Sequence, residues 1–298
     1  MSANRPWVYR RDGERAKPAV GRGSTDPVRV LGAVREDIRQ TLRMAWVDPA
    51  LESASAHATL FTAAWSAVRP NVGRSFLSLA RTIRNEAVES IRVSLDPPDL
   101  TKRLHGMLSE EEIHRVEESA RATHLAAAKV QIVVHALHRA IRRERIAGTG
   151  REEPPIRRGI PEWQRWMSLQ AATDGPGQIL DDSAALLGLP AAPVPLRLFA
   201  RWPLALSGLW TELLDSAVTE EWVRASSRLR RLTLGGMSTL PHPVELQWAA
   251  LKARGASESD RLGLLELLAT HDASMAVQTL TAAFAWCVFG SPEVGLEG

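Results

Sequence analysis

His124 and His271 are the residues best suited to proton transfer in this chain, because each is followed seven positions later by a glutamine, Gln131 and Gln278. Residues i and i+7 share one helix face, and an imidazole exchanges a proton near neutral pH. Each pair could supply an acid or base steadied by an amide. The other open reading is that each histidine bonds a nearby carbonyl or its own glutamine and only packs. His135 and His138 resemble half of a metal site, but no carboxylate or cysteine completes it on the same stretch, so metal binding is not expected. Asp181 and Asp182 lack a third acid one turn on, where Ala184 and Ala185 stand, and acids that favour a helix start explain them better. Arg197 and Arg201 flank a proline-rich crossing. Either could hold a carboxylate through paired hydrogen bonds, against the default of a solvated arginine. No G-x-G-x-x-G, P-loop, H-E-x-x-H or G-x-S-x-G motif occurs, so nucleotide-dependent, zincin and serine-hydrolase chemistries lack support and no cofactor is expected.

The elements that carry the histidines repeat. ATHLAAAKVQIVVHALH, residues 122–138, recurs as ATHDASMAVQTLTAAFA from residue 269, with seven matches each 147 apart (269 − 122), where chance gives roughly one. Both copies are rich in Ala, Val and Leu and free of Gly and Pro, which predicts helix. A shift of 145 carries Asp37 onto Asp182, Leu42 onto Leu187 and Trp65 onto Trp210. The expected architecture is all-α, with two related helical repeats, 29–146 and 162–298, packed about a pseudo-twofold axis with a cleft between them. A basic tail, 1–28, precedes them, and the Gly- and Pro-rich segment 147–161 joins them over the surface. Helices are expected over 28–44, 50–68, 75–93, 98–107 and 109–145, the last opened by a capping box from Ser109 to Glu112. Asp48-Pro49 breaks the first from the second. Pro190, Pro193 and Pro195 predict an extended crossing before helix resumes after Pro203.

The composition narrows the class. Residues 1–35 hold eight Arg or Lys against three acids, a net of +5 within a total of +3, which leaves −2 for the remainder (3 − 5). A basic tail on a nearly neutral body does not favour nucleic-acid binding. One cysteine, Cys287, excludes an internal disulfide and fits a reducing cytoplasm. No apolar run reaches membrane-spanning length and no signal-peptide core opens the chain. With four Lys among 37 basic residues, the Arg bias points to a GC-rich bacterial genome. Ten Trp against one Tyr is unusual. Trp46, Trp65, Trp202 and Trp210 fall where the repeat places the cleft walls; with Phe61, Phe199, Ala127 and Val130 they suggest an apolar pocket, although tryptophan is more often core filler.

EDIRQTLRMAWVDPALESASAHATLFTAAW, residues 36–65, resembles the group I 2-haloacid dehalogenases in its EDIRxTLR run and the spacing of its two tryptophans. A weaker PxLxxRL match follows at 98–104, and GLPAAPVPLRLFARWP ends in the family's Trp202-Pro203 pair. The resemblance spans most of residues 30–290. It implies an all-helical enzyme of two pseudo-symmetric halves whose active site lies between them. It also implies that the family's water-activating Asp is replaced here by Pro195, its assisting Asn by Ala127, and a Tyr by Val130, while Trp46 is retained.

A scaffold without that base leaves three readings open. The first is a natural-product cyclase, isomerase or lyase that works on a mostly apolar small molecule, with or without a carboxylate. Its pocket would be wider than a haloacetate needs, with His124 and His271 facing each other as acid and base and Arg201 or Arg197 as the carboxylate clamp. The second is a hydrolytic haloacid dehalogenase with a relocated base, Asp48 or a histidine. The third is a binding protein without catalysis. Monomer and homodimer are both compatible with the sequence.

Overall fold

The computed structural model describes residues 27–146, 148–154, 156–169 and 176–290. All but the last two residues of the basic tail lie outside that range. Among the described residues every regular element is helical, without a β-strand.

The first half runs α1 (Pro27–Leu42), α2 (Pro49–Ala54), α3 (Ala58–Val68), α4 (Arg74–Ser94), α5 (Thr101–Leu104) and α6 (Glu110–Ile141). The second runs α7 (Pro176–Leu186), α8 (Val194–Phe199), α9 (Pro203–Ala217), α10 (Glu220–Gly236), α11 (Trp248–Ala253) and α12 (Glu258–Phe289). The all-α expectation holds, with boundaries adjusted by local chemistry. The single helix expected over 50–68 is two, because the chain turns at Ser55–His57. The one expected over 98–107 shrinks to Thr101–Leu104. The crossing expected to be extended is instead α8: Pro193 is its N-cap and Pro195 lies in its first turn, where a missing N–H removes no helical hydrogen bond.

α6 and α12 form the centre. Each is 32 residues long and each opens on a capping box, Ser109 with Glu112 and Ser257 with Asp260. They pack along one another, and α4 lies against both. Phe76, Ile83, Ile132, Val133, Leu280 and Phe284 are fully buried there. Their interface also takes polar groups. Asp272 on α12 receives His135 Nδ1 and lies 3.2 Å from His138 Nδ1, both from α6, with Arg230 of α10 at 3.5 Å. Burial works against the Asp272 charge, but the hydrogen bonds from the two histidines outweigh it and hold the carboxyl far below its usual range. The half metal site read from His135 and His138 is thus part of an ion-paired cluster. No group of three or more His, Cys, Asp or Glu among the described residues is arranged to hold a metal.

The described residues of the connecting segment are half-buried or exposed, and they are tied down at both ends. Ile146 pairs with Val244, Thr149 N–H bonds the Leu240 carbonyl at 2.9 Å, and Gly159 N–H bonds the Gln40 carbonyl at 2.9 Å. Gly148 passes so close to the 242–243 backbone that a Cβ there would lie 2.4 Å from the His242 carbonyl carbon.

Candidate active site

α1 stops abruptly. Arg43 takes a left-handed φ of 57°, and Met44 N–H reaches back to the Arg39 carbonyl at 3.0 Å, which turns the chain inward. Trp46 and Asp48 are thereby carried into the core, 5 % and 6 % exposed. Asp48 is then fixed by a local requirement: its Oδ1 accepts the Ala50 N–H at 3.0 Å and caps α2, with Pro49 pre-set for the first helical position.

These two residues close one wall of a cavity between α6, α8 and α12. Its other walls are Thr123, Ala126, Ala127 and Val130 of α6, Val194 and Pro195 of α8, and Met275, Gln278 and Ala282 of α12. The free volume is about 20 Å³, room for one water. Asp48 is the only ionisable side chain among the described residues of the lining. Burial raises its carboxyl from 3.8 to about 6, against the pull of the Ala50 N–H and of the Arg197 charge. A base with that pKa changes state close to neutrality, where general-base catalysis is most effective. Trp46 Nε1 is enclosed without an acceptor, and the Gln278 amide has no hydrogen-bond partner among the described residues. The cavity lining thus includes a carboxylate acceptor, the Trp46 indole and an amide, among apolar side chains and Thr123, whose hydroxyl already bonds the Ser119 and Ala120 carbonyls. Trp46 also lines an open cleft of about 630 Å³ on its outer side, together with Arg35, Arg39 and Arg197.

Of the residues expected at the site, Trp46, Asp48, Ala127, Val130, Pro195 and Gln278 meet at this cavity. The others lie elsewhere. His124 is buried with its ring stacked on Trp286, centroids 5.9 Å apart and planes 8° apart. Desolvation, with Arg84 and Arg92 adding repulsion, lowers its pKa to about 3, so the ring stays neutral. His271 is also pushed down by burial, and neither histidine lines the described cavities. The Asp48 cavity, at about 20 Å³, is narrower than the pocket of the first expectation. Gln131 donates to Thr233 Oγ1 on α10 at 2.8 Å. Trp65 Nε1 donates to Asp37 at 2.8 Å, and Phe61 is fully buried in the core. Phe199 packs on Phe289 at 5.1 Å, and Trp202 meets Trp166 edge-on. Arg201 lies over Trp166 and bonds Ser168, so it is no carboxylate clamp in this cavity. Trp210 is half-buried and packs on the core.

A slip of one residue explains the histidine–glutamine misplacement. The matched residues are 147 apart, but the two capping serines are 148 apart (257 − 109). Counted from its own cap, Gln278 stands 21 residues in (278 − 257), as Val130 does (130 − 109), and Met275 stands 18 in (275 − 257), as Ala127 does (127 − 109). These pairs, and not Gln131 with Gln278, line the cavity, since one residue rotates a side chain by about 100° around the helix. Thr123, Ala126, Met275, Val194 and Ala282 were missed by the sequence reading. The i, i+3, i+4, i+7 stripe 123, 126, 127, 130 was the only signal that could have found the α6 members.

No family model matches the sequence, and neither does any curated protein. Solved structures do. A D-2-haloacid dehalogenase mutant in complex with D-2-CPA superposes with a TM-score of 0.77 at 19% identity, covering 86% of this chain and 90% of that one. D-2-haloacid dehalogenase with L-LA gives the same values, and another mutant gives 0.76 at 19%, covering 85% and 90%. Identity this low carries the backbone and not the chemistry. The chain has the all-α fold of the D-2-haloacid dehalogenases.

Proposed function

We propose that this chain is a diverged enzyme on the haloacid-dehalogenase scaffold, in which Asp48 is the general base that activates one water against a small 2-substituted carboxylic acid. The observation that carries this reading is Asp48 itself: a buried carboxyl with a pKa of about 6, alone among the described ionisable groups in a cavity the size of a water. Asp48 would take a proton from the water as its oxygen bonds to the substrate's C2 and the C2–halide bond breaks, leaving a 2-hydroxy acid, halide and a proton. Trp46 Nε1 and the Gln278 amide are the free polar groups beside it that could orient the water or the acid. On the outer cleft Arg35 and Arg39 are paired with Glu52 and Glu36, which leaves Arg197 as the cation that could favour the approach of an anionic substrate.

The two repeats, read as a duplication with the cavity between α6 and α12, remain part of this proposal; their matching caps and lengths support it. A cyclase or isomerase working on a larger apolar molecule finds less support, because it needs a wide chamber and exposed imidazoles. A chain that keeps the fold without catalysis is the second reading, favoured by a free volume of about 20 Å³, which holds a water but no substrate beside it. The test is halide release from D- and L-2-chloropropionate, with Asp48→Asn as the control. Release by the native chain that falls by about 10²–10⁴ in the variant is the expected result. Equal release by both chains rejects Asp48 as the base, and no release from either enantiomer rejects the hydrolase reading.

A further inference from the structure

A second cavity lies on the opposite side of α6. It is bounded by the end of α1 (Leu42, Arg43), by Arg84 of α4, by Arg121 and Lys129 of α6, and by the segment that carries Trp163 and Gln164, with a free volume of about 140 Å³. Arg121 and Lys129 are eight residues apart, two turns along one helix face, while Val130 on the neighbouring face looks into the Asp48 cavity. Four cationic side chains thus converge on one hollow, and no Asp or Glu among the described residues lines it.

Cations so enclosed are normally paired. These are not. Arg84 is 7% exposed and Lys129 8%. Arg84 makes neither hydrogen bond nor ion pair among the described residues, and its Nε, like those of Arg43 and Arg121, is enclosed without an acceptor. Lys129 Nζ spends one of its three donors on the Leu42 carbonyl at 2.5 Å. The Gln164 side chain makes no hydrogen bond among the described residues, and Arg121 rests on the Trp163 ring at 5.1 Å. Half-buried Arg43, Arg121 and Trp163 bring the cavity to the surface. The cations also repel one another: burial, then Arg84, then Arg43 lower Lys129 to about 7.

We infer that this hollow binds a divalent tetrahedral oxyanion of the phosphate class, held by the guanidinium groups of Arg43, Arg84 and Arg121 and by Lys129. Planar guanidinium groups match phosphate oxygens two at a time, and an ammonium adds a point charge. A single carboxylate would leave most of these donors unused and most of the charge uncompensated. The volume admits a free phosphate or the phosphate end of a small phosphomonoester. This site is independent of the chemistry proposed for Asp48.

The test is thermal unfolding and calorimetric titration of the whole chain with inorganic phosphate, and in parallel with glycerol phosphate, each against sodium chloride of equal ionic strength. Saturable binding with a rise in melting temperature beyond the chloride control is expected. The tighter of the two probes identifies free ion or phosphomonoester as the source. Arg84→Met should bind at least tenfold more weakly while melting no lower than the native chain without phosphate, since it removes an unpaired buried charge. Arg121→Ala, at the half-buried rim, provides the same binding readout if Arg84→Met does not fold. No response beyond chloride, or affinity unchanged in the folded variants, overturns the assignment.

Discussion

Replacing Asp48 by Asn separates the energetic role of this residue from any catalytic one. In the fold its carboxyl has a pKa of about 6 against an ordinary 3.8, mainly through burial. Below pH 3.8 the group is protonated both folded and unfolded, and nothing is lost. Between 3.8 and about 6 the folded state holds the proton more tightly, so stability falls as pH rises; above about 6 the loss is complete. The gap of about two pH units, at about 1.4 kcal/mol each, makes roughly 3 kcal/mol. Asparagine is neutral throughout and caps a helix as well as aspartate. The Asp48→Asn chain should therefore be more stable than the native one by up to about 3 kcal/mol at pH 8, and by less than about 1 kcal/mol at pH 4. Urea unfolding of both chains at the two pH values measures it. A variant no more stable than the native chain at pH 8, or a difference that does not change with pH, would show that the carboxyl is not held against its charge and would remove the argument for a poised base. Gain of stability with loss of halide release would mark a site that trades stability for function.

Two further outcomes test the frame around the site. Asp272→Asn breaks the buried contact with His135 and His138 and should cost about 3–5 kcal/mol in chemical denaturation. Because the Asp272 carboxyl is held low in the fold, its contribution is present above the ordinary aspartate pKa and is lost as pH falls through the folded value, so the variant's deficit should shrink in strong acid. Gly148→Ala places a methyl 2.4 Å from the His242 backbone. With no flexible side chain to yield, it should lower stability by about 1–3 kcal/mol, seen as a lower urea midpoint at unchanged slope.

Local chemistry was legible in the sequence because its interactions run over three or four residues. The Ser109 capping box forms as read, Asp48-Pro49 separates the first two helices by opening α2 after α1 has already ended at Leu42, and the all-helical class follows from periodicity and the scarcity of β-branched runs. Even the misread crossing at Pro190–Pro195 is a local matter, since proline in a first helical turn is permitted as readily as proline in an extended segment. Tertiary structure alone decided which helix face looks where. A repeat alignment scores residue identity, and at about 100° per residue a slip of one position turns Gln131 towards α10 while Gln278 faces the cavity. The same holds for charge. The environment of Asp48, the reach of Asp272 across to His135, and four cations that share one hollow without an acidic partner among the described residues each depend on segments far apart in sequence. Their burial, and with it the cost or use of each charge, exists only once those segments have packed.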